Sequence, residues 1–119
     1  LKKVLGAGEV IALQDLVRRV PVPDSAVAFA VELARMTRPG GEGPRDDVKK
    51  WVSWGAGPRA SQALIVGAKA RALLSGRFAV SEEDVRAVAK PILRHRVLLN
   101  FQAEAEGIGT DQLIGRLLG

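Results

Sequence analysis

The residues from Pro58 to Ser75 constrain this chain more than any others. Ala60, Ala63, Leu64, Ala68, Leu73 and Leu74, joined by Ile65 and Val66, make the segment apolar on nearly every side of a helical wheel. Pro58 suits the first helical position, where a missing N–H forfeits nothing, and Ser75-Gly76-Arg77 ends the run. A helix apolar all round must be central, with other helices packed upon it. Composition agrees. Hydrophobic residues make up 47% of the 119 residues but aromatic ones only 4%, so the apolar mass is Ala, Val and Leu. That mixture suits closely packed helices better than a sheet.

The flanking segments follow the same period. Val10, Leu13, Leu16, Val17 and Val20 form a helical stripe that Pro21 and Pro23 bring to an end. Asp24 or Ser25 is the expected cap of the next helix, with Val27, Ala30, Val31 and Ala34 as its inner face. Residues 38–47, RPGGEGPRDD, read as a Gly/Pro loop too short to divide two domains. Val48, Trp51 and Val52 suggest a short helix turning extended before Gly55, with Trp51 and Trp54 in the core. Ser81 is the expected N-cap of a helix whose third residue is Asp84, with Val80 and Val85 at the spacing of a hydrophobic staple. Pro91 breaks that helix or begins another, and Thr110 caps a last helix that buries Leu113, Ile114, Leu117 and Leu118. The expected fold is all-α, a small helical bundle with at most a minor strand pair, formed by RFAV (77–80) and part of VLLNF (97–101).

Little self-contained chemistry is present. The chain has no cysteine and a single histidine, His95, which excludes a disulfide framework and leaves no basis for a metal site. No apolar run approaches the roughly 20 residues of a membrane span, and a cytoplasmic setting is expected. The net charge of +5 arises within residues 59–96, where eight cations face three carboxylates. A basic region of this kind is compatible with nucleic acid, a nucleotide or an acidic subunit. Two glycine-rich stretches, 40–47 and 55–61, lack the lysine and spacing of a phosphate loop, so the chain alone is not expected to hydrolyse a nucleotide.

Residues 54–64, WGAGPRASQAL, raise a sharper question. They set Arg59 at the mouth of the most apolar helix, although a helix N-terminus is already partly positive. Either the guanidinium turns into solvent or an anion belongs between it and the helix. An arginine on a rigid perch can stabilise the terminal phosphate of a nucleotide held by another domain.

Four further motifs run in order after Gly55-Ala56-Gly57-Pro58-Arg59-Ala60-Ser61: Gly76-Arg77, Val80-Ser81-Glu82-Glu83-Asp84-Val85, Leu93-Arg94-His95-Arg96 and Glu104-Ala105-Glu106-Gly107. Together they resemble the C-terminal lid domain of MoxR-type AAA+ ATPases, and residues 13–38 resemble that lid's first helices. The family usually carries Ser where Gly57 stands. The resemblance implies one lid domain over residues 1–119, with roughly 1–8 as linker from a nucleotide-binding core. It implies that Arg59 is the sensor 2 arginine, acting on the ATP γ-phosphate, with Gly57 and Pro58 beside the nucleotide. It implies ATP and Mg as cofactors of the full-length parent, and ATP hydrolysis as the parent's activity. The partners implied are the parent's own AAA+ core, neighbouring subunits of a ring and von Willebrand factor A-domain proteins, with no membrane and no specific nucleic acid. The family's role is chaperone-like maturation of protein complexes. The rival expectation is a helical protein-interaction or nucleic-acid-binding module with no nucleotide role.

Overall fold

The computed structural model describes residues 6–40 and 45–119. Seven helices and one strand pair follow in the order α1 (Ala7–Arg19), α2 (Asp24–Met36), α3 (Asp46–Trp51), β1 (Val52–Trp54), α4 (Arg59–Leu74), α5 (Glu82–Leu93), β2 (Leu98–Leu99), α6 (Phe101–Ala105) and α7 (Thr110–Leu118). Helix α1 begins within the stretch expected to be linker, with Gly6 before it, and residues 1–5 of that stretch lie outside the described residues.

Helix α4 is central, as its apolar surface requires. It packs most extensively against α5 and also meets α2 and α1. Its fully buried residues are Ala60, Leu64, Ala68 and Ala72, three of them small, which lets neighbouring helices approach closely. At Gly67 an added Cβ would lie 3.2 Å from Ile92 Cδ1 of α5, so the Ile92 side chain would have to shift by a few tenths of an ångström to admit it.

Local chemistry explains the ends of α4 and α5. Ser75 ends α4 and Gly76 adopts φ +77°, a conformation glycine accepts without strain. The Arg77 N–H then reaches the Ala72 carbonyl at 2.9 Å and the Gly76 N–H reaches Leu73 at 3.0 Å, closing the orphan carbonyls of the last turn. Ser81 caps α5 as expected. Its hydroxyl accepts from the Asp84 N–H while the Asp84 carboxylate accepts from the Ser81 N–H at 2.8 Å. Both staple residues, Val80 and Val85, are buried.

Several expectations need correction. Pro91 neither breaks α5 nor starts a new helix. It lies within the last turn, where its missing N–H leaves one carbonyl of the preceding turn unpaired by the helix, and buried Leu93 keeps that turn in place. The inner face of α2 is Ala26, Ala30, Leu33 and Ala34; Val31 is exposed, and neither Asp24 nor Ser25 caps the helix, whose preceding residue is Pro23. Thr110 is already inside α7, and the end is closed instead by the Gln112 side chain accepting from the Gly109 N–H at 2.9 Å. The stripe of α1 is not a buried face. Val10, Ile11, Leu13 and Leu16 are exposed, and only Val20, just past the helix, reaches the core.

The strand pair is present, with a different partner. VLLNF contributes β2, but it pairs antiparallel with β1, and RFAV forms no strand. The register runs Val52↔Leu99 and Trp54↔Leu98, so β1 spends one extra residue, Ser53, between the two pairs. That irregularity has a consequence for both tryptophans. Trp51 is buried, as expected, and its Nε1–H donates to Glu106 at 2.9 Å. Trp54, turned outward past the irregularity, is 72% exposed and is no part of the core.

Candidate functional site

The turn before α4 is anchored to the end of α2. The Thr37 hydroxyl is fully buried, donates to the Ala34 carbonyl at 2.6 Å and accepts from the Ala56 N–H at 2.8 Å. Arg38 Nε donates to the Ala56 carbonyl at 3.0 Å. Both polar groups of the Ala56 backbone are thus held from α2's C-terminal end. Gly55 makes this possible. A Cβ there would lie 2.6 Å from the Thr37 carbonyl oxygen, closer than any side chain tolerates.

Gly57 is under no such constraint. Its φ is not positive, and a Cβ placed on it would meet nothing within 4 Å. The serine usual in the resembling family would therefore fit. Gly55→Ala should destabilise the chain by about 1–3 kcal/mol, because backbone has to move. Gly57→Ala or Gly57→Ser should change stability by less than about 0.5 kcal/mol. Thermal melting of the variants checks the contrast.

Past this anchor the chain comes to the surface. Gly57, Pro58 and Arg59 are all exposed, whereas Ala60 is buried and its N–H reaches the Gly57 carbonyl at 3.0 Å. Pro58 has φ −59° and ψ −28°, already helical, so it starts the turn as its ring geometry favours. The Ser61 hydroxyl donates to the Pro58 carbonyl at 3.2 Å. The N-terminus of α4 has no side-chain cap and no acidic residue in its first turn. At α5, by contrast, Glu82, Glu83 and Asp84 occupy the first turn. The positive end of α4 is therefore left uncompensated, with a cation upon it.

Six of the other seven cations of the basic stretch donate within the chain. Arg71 and Arg77 both bind Asp84, at 2.6 and 2.8 Å. Arg94 grips Asp111 through two hydrogen bonds of 2.9 and 2.8 Å. Arg86 donates to the Leu118 carbonyl, Arg96 to the Ile92 carbonyl and Lys69 to the Arg18 carbonyl. Among the described residues, Arg59 and Lys90 alone of the eight cations in residues 59–96 make no hydrogen bond or ion pair through the side chain.

The remaining motifs serve the fold. Hydrogen bonds from Arg77, backed by those from Ser81 and Arg71, hold the buried Asp84 carboxyl far below the ordinary carboxylate range and raise Arg77. Glu106 is lowered chiefly by the Trp51 indole and then by Lys50, and Asp111 chiefly by Arg94. Arg94 and His95–Arg96 lie at the end of α5, away from the Arg59 turn in sequence, and Arg94 fastens α5 to α7. Sequence reasoning missed Thr37 and Arg38 as the anchors of the turn. A threonine and an arginine ending an apolar helix carry no mark that they will be met by a loop 19 residues further on. No cluster of metal-ligating residues occurs among the described residues.

Comparison with known proteins agrees with this architecture. The AAA lid domain model matches residues 45–117. Over 117 residues the chain is 36% identical to Chaperone MoxR1 of Mycobacterium tuberculosis, covering 98% of this chain and 31% of that protein. It is 43% identical over 54 residues to Protein MoxR of Paracoccus denitrificans, covering 45% of this chain and 16% of that one. A crystal structure of a candidate ATPase from Cytophaga hutchinsonii superposes with a TM-score of 0.88 at 34% identity, over 98% of this chain and 36% of that one. The chain thus spans about a third of the length of Chaperone MoxR1 and of that structure. It belongs to the AAA lid domain family, in the form found in MoxR-type AAA+ ATPases.

Proposed function

We propose that Arg59 is the sensor 2 arginine of this lid and that its ligand is the γ-phosphate of ATP, held with Mg by the AAA+ core of the full-length protein. The observation that carries the reading is the isolation of Arg59: exposed, unpartnered among the described residues, and mounted on an uncapped helix start behind a doubly anchored turn. A guanidinium on a firm mount loses little rotamer freedom when it meets an anion, and its planar fork matches phosphate oxygens. The N–H groups of the first turn add a favourable field to the same place. What the chain's own residues do is neutralise and orient. Gly57 and Pro58 keep the approach open, and Arg59 meets charge that gathers on the terminal phosphate.

In this reading the full-length protein is a ring-forming ATPase whose lid responds to the nucleotide of its own subunit or a neighbour's. The family resemblance favours chaperone-like maturation of other complexes, with von Willebrand factor A-domain proteins as partners. A cytoplasmic setting follows, since ATP is supplied there. The test is steady-state ATP turnover of the full-length protein carrying Arg59→Ala, beside its melting temperature. Lower turnover with unchanged melting supports the sensor role; unchanged turnover removes it.

Nucleic acid is the weaker reading, because six of the eight cations in the basic stretch already donate within the chain. Duplex DNA should bind only weakly and lose its affinity at about 150 mM salt. A fluorescence-anisotropy titration at that salt decides it, and submicromolar binding would restore the rival.

A further inference from the structure

The exposed indole of Trp54 makes no hydrogen bond among the described residues, although the chain has only five aromatic residues. It is nevertheless firmly placed. Val52, on one side, is buried and paired with Leu99, and Ala56, on the other, is held by Thr37 and Arg38. The extra residue in β1 re-aims Trp54 outward, a device common beside binding sites. The indole lines a groove of about 390 Å³ together with Arg38, Ser53, Gly55 and Gly57. That volume is within the range of small-molecule sites, roughly 300–1,000 Å³. The groove ends at Gly57, two residues before Arg59. Four residues lie between Trp54 and Arg59, so their Cα atoms are at most about 18 Å apart. That limit lies within the reach of an extended nucleoside triphosphate, with an aromatic base at one end and the terminal phosphate at the other.

We infer that Trp54 supplies a stacking face for the base of the nucleotide whose γ-phosphate Arg59 reads, with the groove beside Arg38 as the base's seat. This rests on the sensor reading of Arg59 for the identity of the ligand. An indole face and a flat heterocycle bury apolar area on both sides, and every base offers such a face. Stacking of this kind secures affinity and leaves the chemical step to other groups. Trp54 is therefore a binding residue, and its loss is read in KM and not in kcat.

The experiment compares Trp54→Ala, Trp54→Phe and Arg59→Ala in the full-length protein, using ATP and inorganic tripolyphosphate as competing ligands. Trp54→Ala should raise the KM for ATP by at least about fivefold, the lower end of measured base–aromatic stacking. Its kcat should stay within about twofold, and its inhibition by tripolyphosphate, which has no base, should be unchanged. Trp54→Phe should recover most of the loss. Arg59→Ala tests the sensor reading separately, through kcat and through tripolyphosphate. An unchanged KM for ATP in Trp54→Ala overturns the inference, as does an equal loss for tripolyphosphate. Altered self-association with unaltered ATP affinity would also overturn it, making Trp54 and its neighbour Leu98 a subunit contact.

Discussion

Asp84→Ala should lower the stability of the 119-residue chain by about 3 kcal/mol, and its melting temperature by more than about 10 °C. The carboxylate is wholly buried and accepts from Arg71, Arg77, the Ser81 N–H and the Ser81 hydroxyl. It therefore ties three pieces of chain together: the last turn of α4, the glycine turn after it and the start of α5. Alanine deletes the capping-box acceptor, worth about 1 kcal/mol, and the charge-assisted bonds from two guanidinium groups. Arg71 and Arg77 are 37% and 42% exposed, so both can return to water, which keeps the loss from growing further. Asp84→Asn should recover only part of the stability, since its amide places a donor among donors.

The pH dependence follows in sign. The Asp84 carboxyl is lowered in the folded chain, so the unfolded chain binds the proton more readily. Its contribution is present above the unfolded carboxyl's pKa of about 3.9 and is lost as pH falls from there toward the folded value. The stability gap between the natural chain and Asp84→Asn should accordingly be constant near neutrality and shrink below about pH 4. Melting curves from pH 3 to 7 give the measurement, and a gap independent of pH would show that folding does not lower the Asp84 carboxyl.

Arg59→Ala has the other large expected effect, on activity. Turnover by the full-length protein should fall at least about tenfold, equivalent to roughly 1.4 kcal/mol of barrier. Melting should be unchanged within about 0.5 kcal/mol, because the side chain is exposed and has no partner among the described residues. Arg59→Lys should recover only part of the turnover. It restores the charge but not the flat pair of donors that meets two phosphate oxygens at once. Turnover equal to the natural protein in both variants would place Arg59 among ordinary solvated arginines.

What was legible in the sequence was legible for local reasons. The central helix shows in an apolar surface with no polar side, and the Ser81–Asp84 capping box shows because both halves lie within four residues. The Arg94–Asp111 pair, by contrast, joins residues 17 apart and carries no local mark. What failed was decided by partners distant in sequence. Strand β2 was foreseen, yet its mate lies at residues 52–54, a pairing no local signal records. Trp54 has the composition of a core residue, and one irregular position in a three-residue strand turns it outward. The α1 stripe has the helical period but finds too little of α4 to cover it. At the turn itself, Arg59 is the first residue of α4, and Pro58, expected at that position, stands one residue earlier with helical dihedrals. The two glycines of the turn look alike in sequence, yet Gly55 is needed for close approach to Thr37 and Gly57 has open space around it.

The motifs that led to the family separate in the same way. Gly76-Arg77, Ser81 to Asp84, Arg94 and Glu106 each have an internal partner that explains them. The Arg59 side chain has none among the described residues, and this is the ground on which we propose a ligand for it. A γ-phosphate is the one group that distinguishes ATP from ADP, so the most direct measurement is the affinity of the full-length protein for each, with and without Arg59. If Arg59 reads that phosphate, Arg59→Ala should weaken ATP binding by about tenfold and leave ADP binding within about twofold. Equal losses for both nucleotides, or no loss for either, would contradict the account.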